Sequence, residues 1–380
     1  MKKKILLVLS VCALLVGCNS TNEQGKESGS NSGSYDSTVS EGSQSHENPT
    51  YQKGKNKTPL TMAVVGDIMM GTTVPKGNLT ADDGANLFKD CESILQVVDI
   101  AAGNLEGALF DGTGVPKPGA FSGNVFAFKM PSRYVNHLVK AGFDFVSIAN
   151  NHVNDFGVEA LDSTMSTLDK ANIAYAGHAT KCPTTIIEKD GRVIGFAAFG
   201  FSQNMPSIND YATLESTVKD LKKKSDIVVV SFHGGGEGKN FQHVPHKREH
   251  AFGQDRGNVE EFAHKAVDAG ADVVYGHSPH VTRALELYKD RLIVYSLGNF
   301  CTPYRFNISG VSGYAPIVEM TLNGDGSFVE GQIHSFIQTK GVGPRTDSAN
   351  RVAKTMSSLT KSDFPNTPLA ISDNGKIMRK

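Results

Sequence analysis

The stretch Val259-Glu260-Glu261-Phe262-Ala263-His264-Lys265-Ala266-Val267-Asp268-Ala269-Gly270-Ala271-Asp272-Val273-Val274-Tyr275-Gly276-His277-Ser278-Pro279-His280 contains the unit from which the fold is built. Val259, Phe262, Ala263 and Ala266 keep helical spacing, and Ala271–Tyr275 is a short apolar run that reads as a buried strand. Polar side chains with metal-ligand chemistry follow that run directly. The same order recurs along the chain. Ala63–Gly66 leads into Asp67; Val97–Gly103 into Asn104 and Glu106; Phe145–Ala149 into Asn150, Asn151 and His152. Ile227–Phe232 leads into His233, and Ile293–Gly298 into Asn299. In an α/β sheet, ligands bind beyond the carboxyl ends of the strands. Asp, Glu, Asn and His gathered at one end of six runs point to a metal-dependent enzyme or a relic of one.

Outward from that unit, helix-spaced positions at Leu87–Val98, Val135–Val139, Val158–Leu168 and Leu214–Leu221 alternate with the runs. This alternation predicts an α/β fold with parallel strands. Hairpin signals are interleaved: Asp190-Gly191, Asp290 between Leu285–Tyr288 and Leu292–Ser296, and Asn323–Gly326. Antiparallel strands are therefore expected too, and two mixed sheets with helices outside would accommodate both textures. Residues 59–340 are read as one large domain. Residues 239–257 read as a long loop beside the site. Residues 341–380 read as one short helix around Val352–Leu359 and then a polar tail.

The N-terminus reads as an export signal over residues 1–17: Lys2, Lys3 and Lys4, then the apolar Ile5–Val16. It ends at Leu15-Val16-Gly17-Cys18, which resembles a bacterial lipobox, so Cys18 is the expected lipid-attachment residue. A plain signal peptide with an incidental cysteine is the alternative. Lipid on Cys18 would anchor the protein to the extracytoplasmic face of the cell membrane rather than span it. Residues 18–58 are rich in Ser, Gly, Asn, Glu and Lys and are expected to form a disordered tether.

Three of the 38 basic residues fall in the leader, so the remainder is modestly acidic against 39 Asp and Glu. No basic patch argues for nucleic acid. Cys91, Cys182 and Cys301 are widely separated and form no CxxC pair, which argues against a thiolate metal site and leaves one disulfide open. Gly234-Gly235-Gly236 lacks the Lys-Ser/Thr of a phosphate loop. No nucleophile elbow is present for Ser-His-Asp chemistry.

The candidate ligands are Asp67, Glu106, Asn151, His233, His277 and His280. A nitrogen and oxygen set without thiolate suits Mn, Zn or Fe better than Mg or Ca. Bridging carboxylates would permit two ions about 3.5–4 Å apart, the arrangement that clamps attacking and leaving oxygens in phosphoryl transfer. His152 follows Asn151 and suits a general acid, because its pKa lies near neutrality. Asp155 could orient its ring, although Asp155-Phe156-Gly157 also fits a plain helix start. Asn104 and Asn299 are candidates for substrate contact. Taken singly, Asp67 also fits a turn or cap, and Asn150-Asn151 a turn.

Val65–Gly71, Asn104-Leu105-Glu106, Phe128–Pro131, Ala149–His152 with Asp155–Gly157, Gly276–His280 and Tyr295–Phe300 together resemble the CapA family of capsule and poly-γ-glutamate synthesis proteins. The resemblance covers roughly residues 60–340. It implies the fold of calcineurin-like metallophosphoesterases, a sandwich of two mixed β-sheets flanked by helices. It also implies a role in making, exporting or anchoring an anionic γ-linked polyglutamate, with that polymer and its synthase subunits as partners. The chain departs from calcineurin-like enzymes at three points. Asp67-Ile68-Met69 lacks the usual Asp-x-His; Glu106 stands at best for the bridging Asp; and Gly276–His280 has one residue more than Gly-His-x-His. These changes favour one metal or an altered pair. Two roles therefore stand side by side: a metal-dependent hydrolase or transferase, and a non-catalytic assembly or binding subunit of a polymer synthase complex.

Overall fold

The computed structural model describes residues 53–54, 58–121 and 125–380. The leader, the expected lipid-attachment Cys18 and nearly all of the expected tether lie outside the described residues. Among the described residues, no helix is long and apolar enough to cross a membrane.

Two mixed sheets face each other, as expected. In the first, Leu60–Ile68, Ile100–Leu105, Phe145–Ser147 and Ala174–Ala176 run parallel in that order. On its other side Ile317–Leu322, Phe328–His334, Lys376–Arg379 and Leu369–Ile371 continue the sheet antiparallel. In the second sheet Arg192–Gly200, Ile227–His233, Val273–His277 and Arg291–Val294 are parallel. The hairpin partners Thr184–Lys189 and Leu285–Tyr288 close its two edges antiparallel.

The apolar runs are buried on both faces, which is why they read as nearly continuous rather than alternating. Leu60, Met62 and Val64 point between the sheets, while Ala63 and Val65 pack under the helices outside. In the second sheet Ile227 and Val229 face inward, and Val228 and Val230 meet Val218, Phe262 and Ala266 on the outer helices. Phe145 and Phe196 stack across the interface with ring centroids 4.2 Å apart.

Three expectations change. Leu87, Phe88, Cys91, Leu95 and Val98 are buried together, but only Glu92–Leu95 is α-helix. The rest is a chain of turns, with Leu87 N bonding Gly84 O and Cys91 N bonding Phe88 O; i to i+3 turns give nearly the same side-chain spacing as a helix. The long loop at 239–257 contains a short 3-10 turn, Lys239–Phe241, and a hairpin of Glu249–Ala251 with Gln254–Gly257. The helix after 341 runs Arg351–Asp363, and the expected polar tail instead adds two strands to the first sheet. Those strands are three and four residues long, too short for alternation to register in the sequence.

Candidate metal centre

The parallel strands of both sheets deliver their polar residues to one edge. Asp67 stands in register with Asn104 on one side and Asn299 on the other. In the second sheet His277 is in register with His233. Gly66 makes the first of these positions reachable: a Cβ there would sit 2.0 Å from the Gly298 carbonyl oxygen. That close approach lets Asp67 N donate to Gly298 O at 2.9 Å.

One ligand atom each from Asp67, Glu106 and His280 lies within 4.8 Å of the others. His280 Nδ1 is 2.9 Å from Asp67 Oδ2, and His277 Nδ1 is 3.3 Å from Asp67 Oδ1. His280 Nε2 and His233 Nε2 approach Glu106 Oε1 to 3.7 and 4.0 Å. Asn151 Oδ1 sits 2.9 Å from His233 Nε2. All six ligand candidates thus converge. The extra residue in Gly276–His280 is taken up by left-handed backbone at Ser278 (φ 101°) and His280 (φ 54°), which folds His280 back over Asp67. Such conformations in non-glycine residues persist only where the surroundings hold them.

His152 and Asp155 are paired as expected, Nδ1 to Oδ2 at 2.7 Å. The same carboxylate oxygen accepts Phe128 N at 2.7 Å, and its other oxygen meets Lys117 Nζ at 2.6 Å. The ring of His152 lies 4.3 Å from that of Phe128. The fourteen-residue helix Gly157–Lys170 begins two residues later, so the helix-start reading of this segment holds as well. Asn104 and Asn299, the candidates for substrate contact, flank Asp67 in the strand register. Both are fully buried. Asn104 Nδ2 donates to Asp67 Oδ1 at 2.8 Å while its Oδ1 accepts Asn150 Nδ2 at 2.9 Å. Asn299 Nδ2 donates to the carbonyls of Ser312 (3.0 Å) and His280 (3.2 Å). Asn104 is closed in this way and holds the site wall beside Asp67, whereas Asn299 Oδ1 is buried without a hydrogen-bond partner.

Residues missed from the sequence also gather here. Glu237 Oε1 lies 4.0 Å from His280 Nε2, and Arg256 Nη2 lies 3.4 Å from Glu237 Oε2. Arg256 is buried, bonds Ser278 Oγ at 3.0 Å and stacks 3.7 Å over Phe201. Glu237 had a signal in His233-Gly234-Gly235-Gly236-Glu237; Arg256 and Lys117 had none.

Whether a metal fits can be tested on the buried polar atoms. Both carboxylate oxygens of Glu106, both ring nitrogens of His277 and Nδ1 of His233 are buried without a hydrogen-bond partner. Buried polar groups in folded proteins are almost always paired, and orphans call for an explanation. A cation at this point would partner the Glu106 oxygens and Nδ1 of His277, whereas Nε2 of His277 and Nδ1 of His233 lie on the far sides of their rings. The charges agree. Burial, reinforced by the Asp67 charge, pushes the Glu106 carboxyl well above the usual carboxylate range. Burial would raise Asp67 as well, but the His277 and His280 rings beside it hold it well below that range. Burial lowers His233 and His152. Burial also opposes charge on His280, yet Glu106 and Asp67 push it up to about 10.

The bacterial capsule synthesis protein PGA_cap family matches residues 61–304. The chain belongs to that family. The capsule biosynthesis protein CapA of Bacillus anthracis is 30% identical over 268 residues, covering 65% of this chain and 61% of that protein. The PGA biosynthesis protein CapA of Bacillus subtilis is 30% identical over 272 residues, covering 65% and 67%. The chain thus spans about three fifths of the length of the first relative. Among solved structures, a phosphatase from Mycoplasma pneumoniae aligns at a TM-score of 0.48 with 13% identity, over 74% of this chain and 95% of that one. A likeness of that size says nothing about activity.

Proposed function

We propose that this chain is a lipid-anchored, extracytoplasmic protein of capsule or poly-γ-glutamate synthesis, export or anchoring, with a metal-dependent hydrolytic site at the strand ends. Family membership and the printed names of the two Bacillus relatives support the first half. The observation that carries the second is Glu106, fully buried between Asp67 and His280 with neither oxygen paired. Asp67, Glu106, His233, His277, His280 and Asn151 would hold Mn, Zn or Fe. A metal there supplies Lewis-acid charge to the group under attack and lowers the pKa of a bound water.

The other steps belong to side chains. Asp155 accepts from His152 Nδ1 and its charge offsets part of the fall that burial imposes on the ring, so Nε2 is the atom that would carry a proton to the departing group. Phe128 N and Lys117 fix Asp155, so the ring cannot swing away. Phe128 covers one face of the imidazole and excludes water from it.

Metal analysis of the purified protein, followed by phosphoesterase and γ-glutamyl hydrolase assays, tests this reading. His152→Asn should keep metal content and fold while turnover falls by roughly 10²–10⁴. A protein that binds no metal when supplied with Mn, Zn and Fe would instead be the non-catalytic subunit of a synthase complex. Retention of Cys18→Ala at the membrane would refute the lipid anchor.

A further inference from the structure

A line of rings leads from the buried histidines to the surface. His152 lies tilted against Phe128 with ring centroids 4.3 Å apart; Phe128 stacks on Phe306 at 5.0 Å and on Phe126 at 6.2 Å. Phe306 also meets the edge of the His280 ring at 5.1 Å. Phe128 is buried, while Phe126 and Phe306 are half-buried, so the strip opens outward beside the two histidines. At its outer end Arg305 is exposed, with its guanidinium 5.0 Å over the Phe126 ring. Among the described residues no carboxylate pairs with Arg305, although most other arginines here have one or are bonded to carbonyl oxygens. Its backbone is left-handed at φ 66°, an uncommon state for a side-chain-bearing residue. Lys117, partly exposed, is a second cation beside the His152 end.

We propose that Phe126, Phe306 and Arg305 form a docking strip that feeds a linear carboxylate-bearing chain with methylenes in its backbone, a γ-linked polyglutamate, toward His152 and His280. This rests on the polymer reading above and adds how the site would take the polymer. A γ-linkage places two methylenes in each repeat of the main chain and one carboxylate beside each amide. Methylenes suit the ring faces. The carboxylates suit an unpaired guanidinium, which can bind them with two parallel N–H bonds. A phosphate-sugar or uronate chain would satisfy the cation but would give the rings no run of methylenes.

The test is fluorescence anisotropy on the full chain with a labelled γ-linked oligoglutamate, its α-linked isomer and a uronate oligosaccharide of equal charge. It is run in chelator and again with Mn²⁺. The wild type should bind the γ-linked chain best, in both buffers. Arg305→Ala and Phe126→Leu should each weaken that binding by about fivefold, as loss of a partly desolvated cation–π or charge contact does. Lys289→Ala, an exposed lysine paired with Asp268 outside the site, should not. Circular dichroism checks that each variant folds, and Arg305→Ala on the surface carries the test if Phe126→Leu does not. Wild-type binding that neither variant weakens overturns the strip and leaves the polymer reading standing. Equal binding of the uronate chain overturns it as well, since the strip would then not select the γ-linked chain. Failure of the wild type to bind any polyglutamate removes the strip and the polymer reading together.

Discussion

Glu106→Gln should move stability in opposite directions with and without metal. In the metal-free protein Glu106 is fully buried, neither oxygen has a partner, and Asp67 is close enough to raise its carboxyl. An unsatisfied buried polar group costs roughly 1–3 kcal/mol, more when charged. Gln has the same shape, carries no charge and can donate toward Asp67. The metal-free variant should therefore be more stable by about 1–2 kcal/mol, or roughly 2–4 °C in melting temperature. With metal the sign reverses. At a metal concentration near 1,000 times Kd the wild type gains about 4 kcal/mol; a variant binding a hundredfold more weakly gains about 1.4 kcal/mol. Differential scanning calorimetry in chelator and in excess Mn²⁺ or Zn²⁺ reads both. If Glu106→Gln melts below the wild type in chelator and shows an undiminished metal shift, Glu106 is a structural residue and the ligand set is wrong.

Three other outcomes follow from packing and charge. Arg283 is fully buried, grips Glu249 through two bonds of 2.7 and 2.8 Å and bonds Phe241 O at 2.7 Å, so it ties the 236–249 segment to the second sheet. Arg283→Met should cost about 3–5 kcal/mol in denaturant unfolding by leaving Glu249 buried alone, and Arg283→Met with Glu249→Leu should recover most of it. Gly66→Ala puts a Cβ against the Gly298 carbonyl and should destabilise by roughly 1–3 kcal/mol while lowering metal content; an unchanged melting temperature would mean the two backbones part freely. Burial opposes charge on His264, but its bond to Glu286 (2.8 Å) raises it above its ordinary value of 6.5. That contribution is fully present below about pH 6.5 and lost as pH rises through the folded value. The denaturant midpoint gap between wild type and His264→Gln should therefore be larger at about pH 5.5 than at about pH 8.5; a gap that widens with pH would contradict the pairing.

Much of the site was legible because strand ends are local. Val273–Tyr275 had to be buried on both faces, and the next polar residues, His277 and His280, had to emerge where the strand stops. The same holds for Asp67 and His233. Asn104 was legible as a strand-end residue but not in its role. Whether an amide faces a substrate or a neighbouring carboxylate depends on what the adjacent strand brings, and here it brings Asp67 at 2.8 Å. Lys117 and Arg256 were invisible because nothing local marks them. They reach Asp155 and Glu237 across the fold, at sequence separations that no periodicity encodes.

The amino-acid sequence by itself determined the alternation of helix and buried strand, the two textures of parallel run and hairpin, and the residue types that collect at the strand ends. These follow from spacing and hydropathy within a dozen residues. Only the tertiary structure decided that Asp67, Glu106 and the three histidines meet within a few ångströms, that Glu106 is left without a partner, and that the last residues become strands rather than tail. Lys376–Arg379 is a strand because Phe328–His334 offers it an edge to bond, and Glu106 meets the other candidate ligands because their chain segments close around it. Both depend on which segments the core brings side by side, which is set by burial of the whole chain rather than by any part of it.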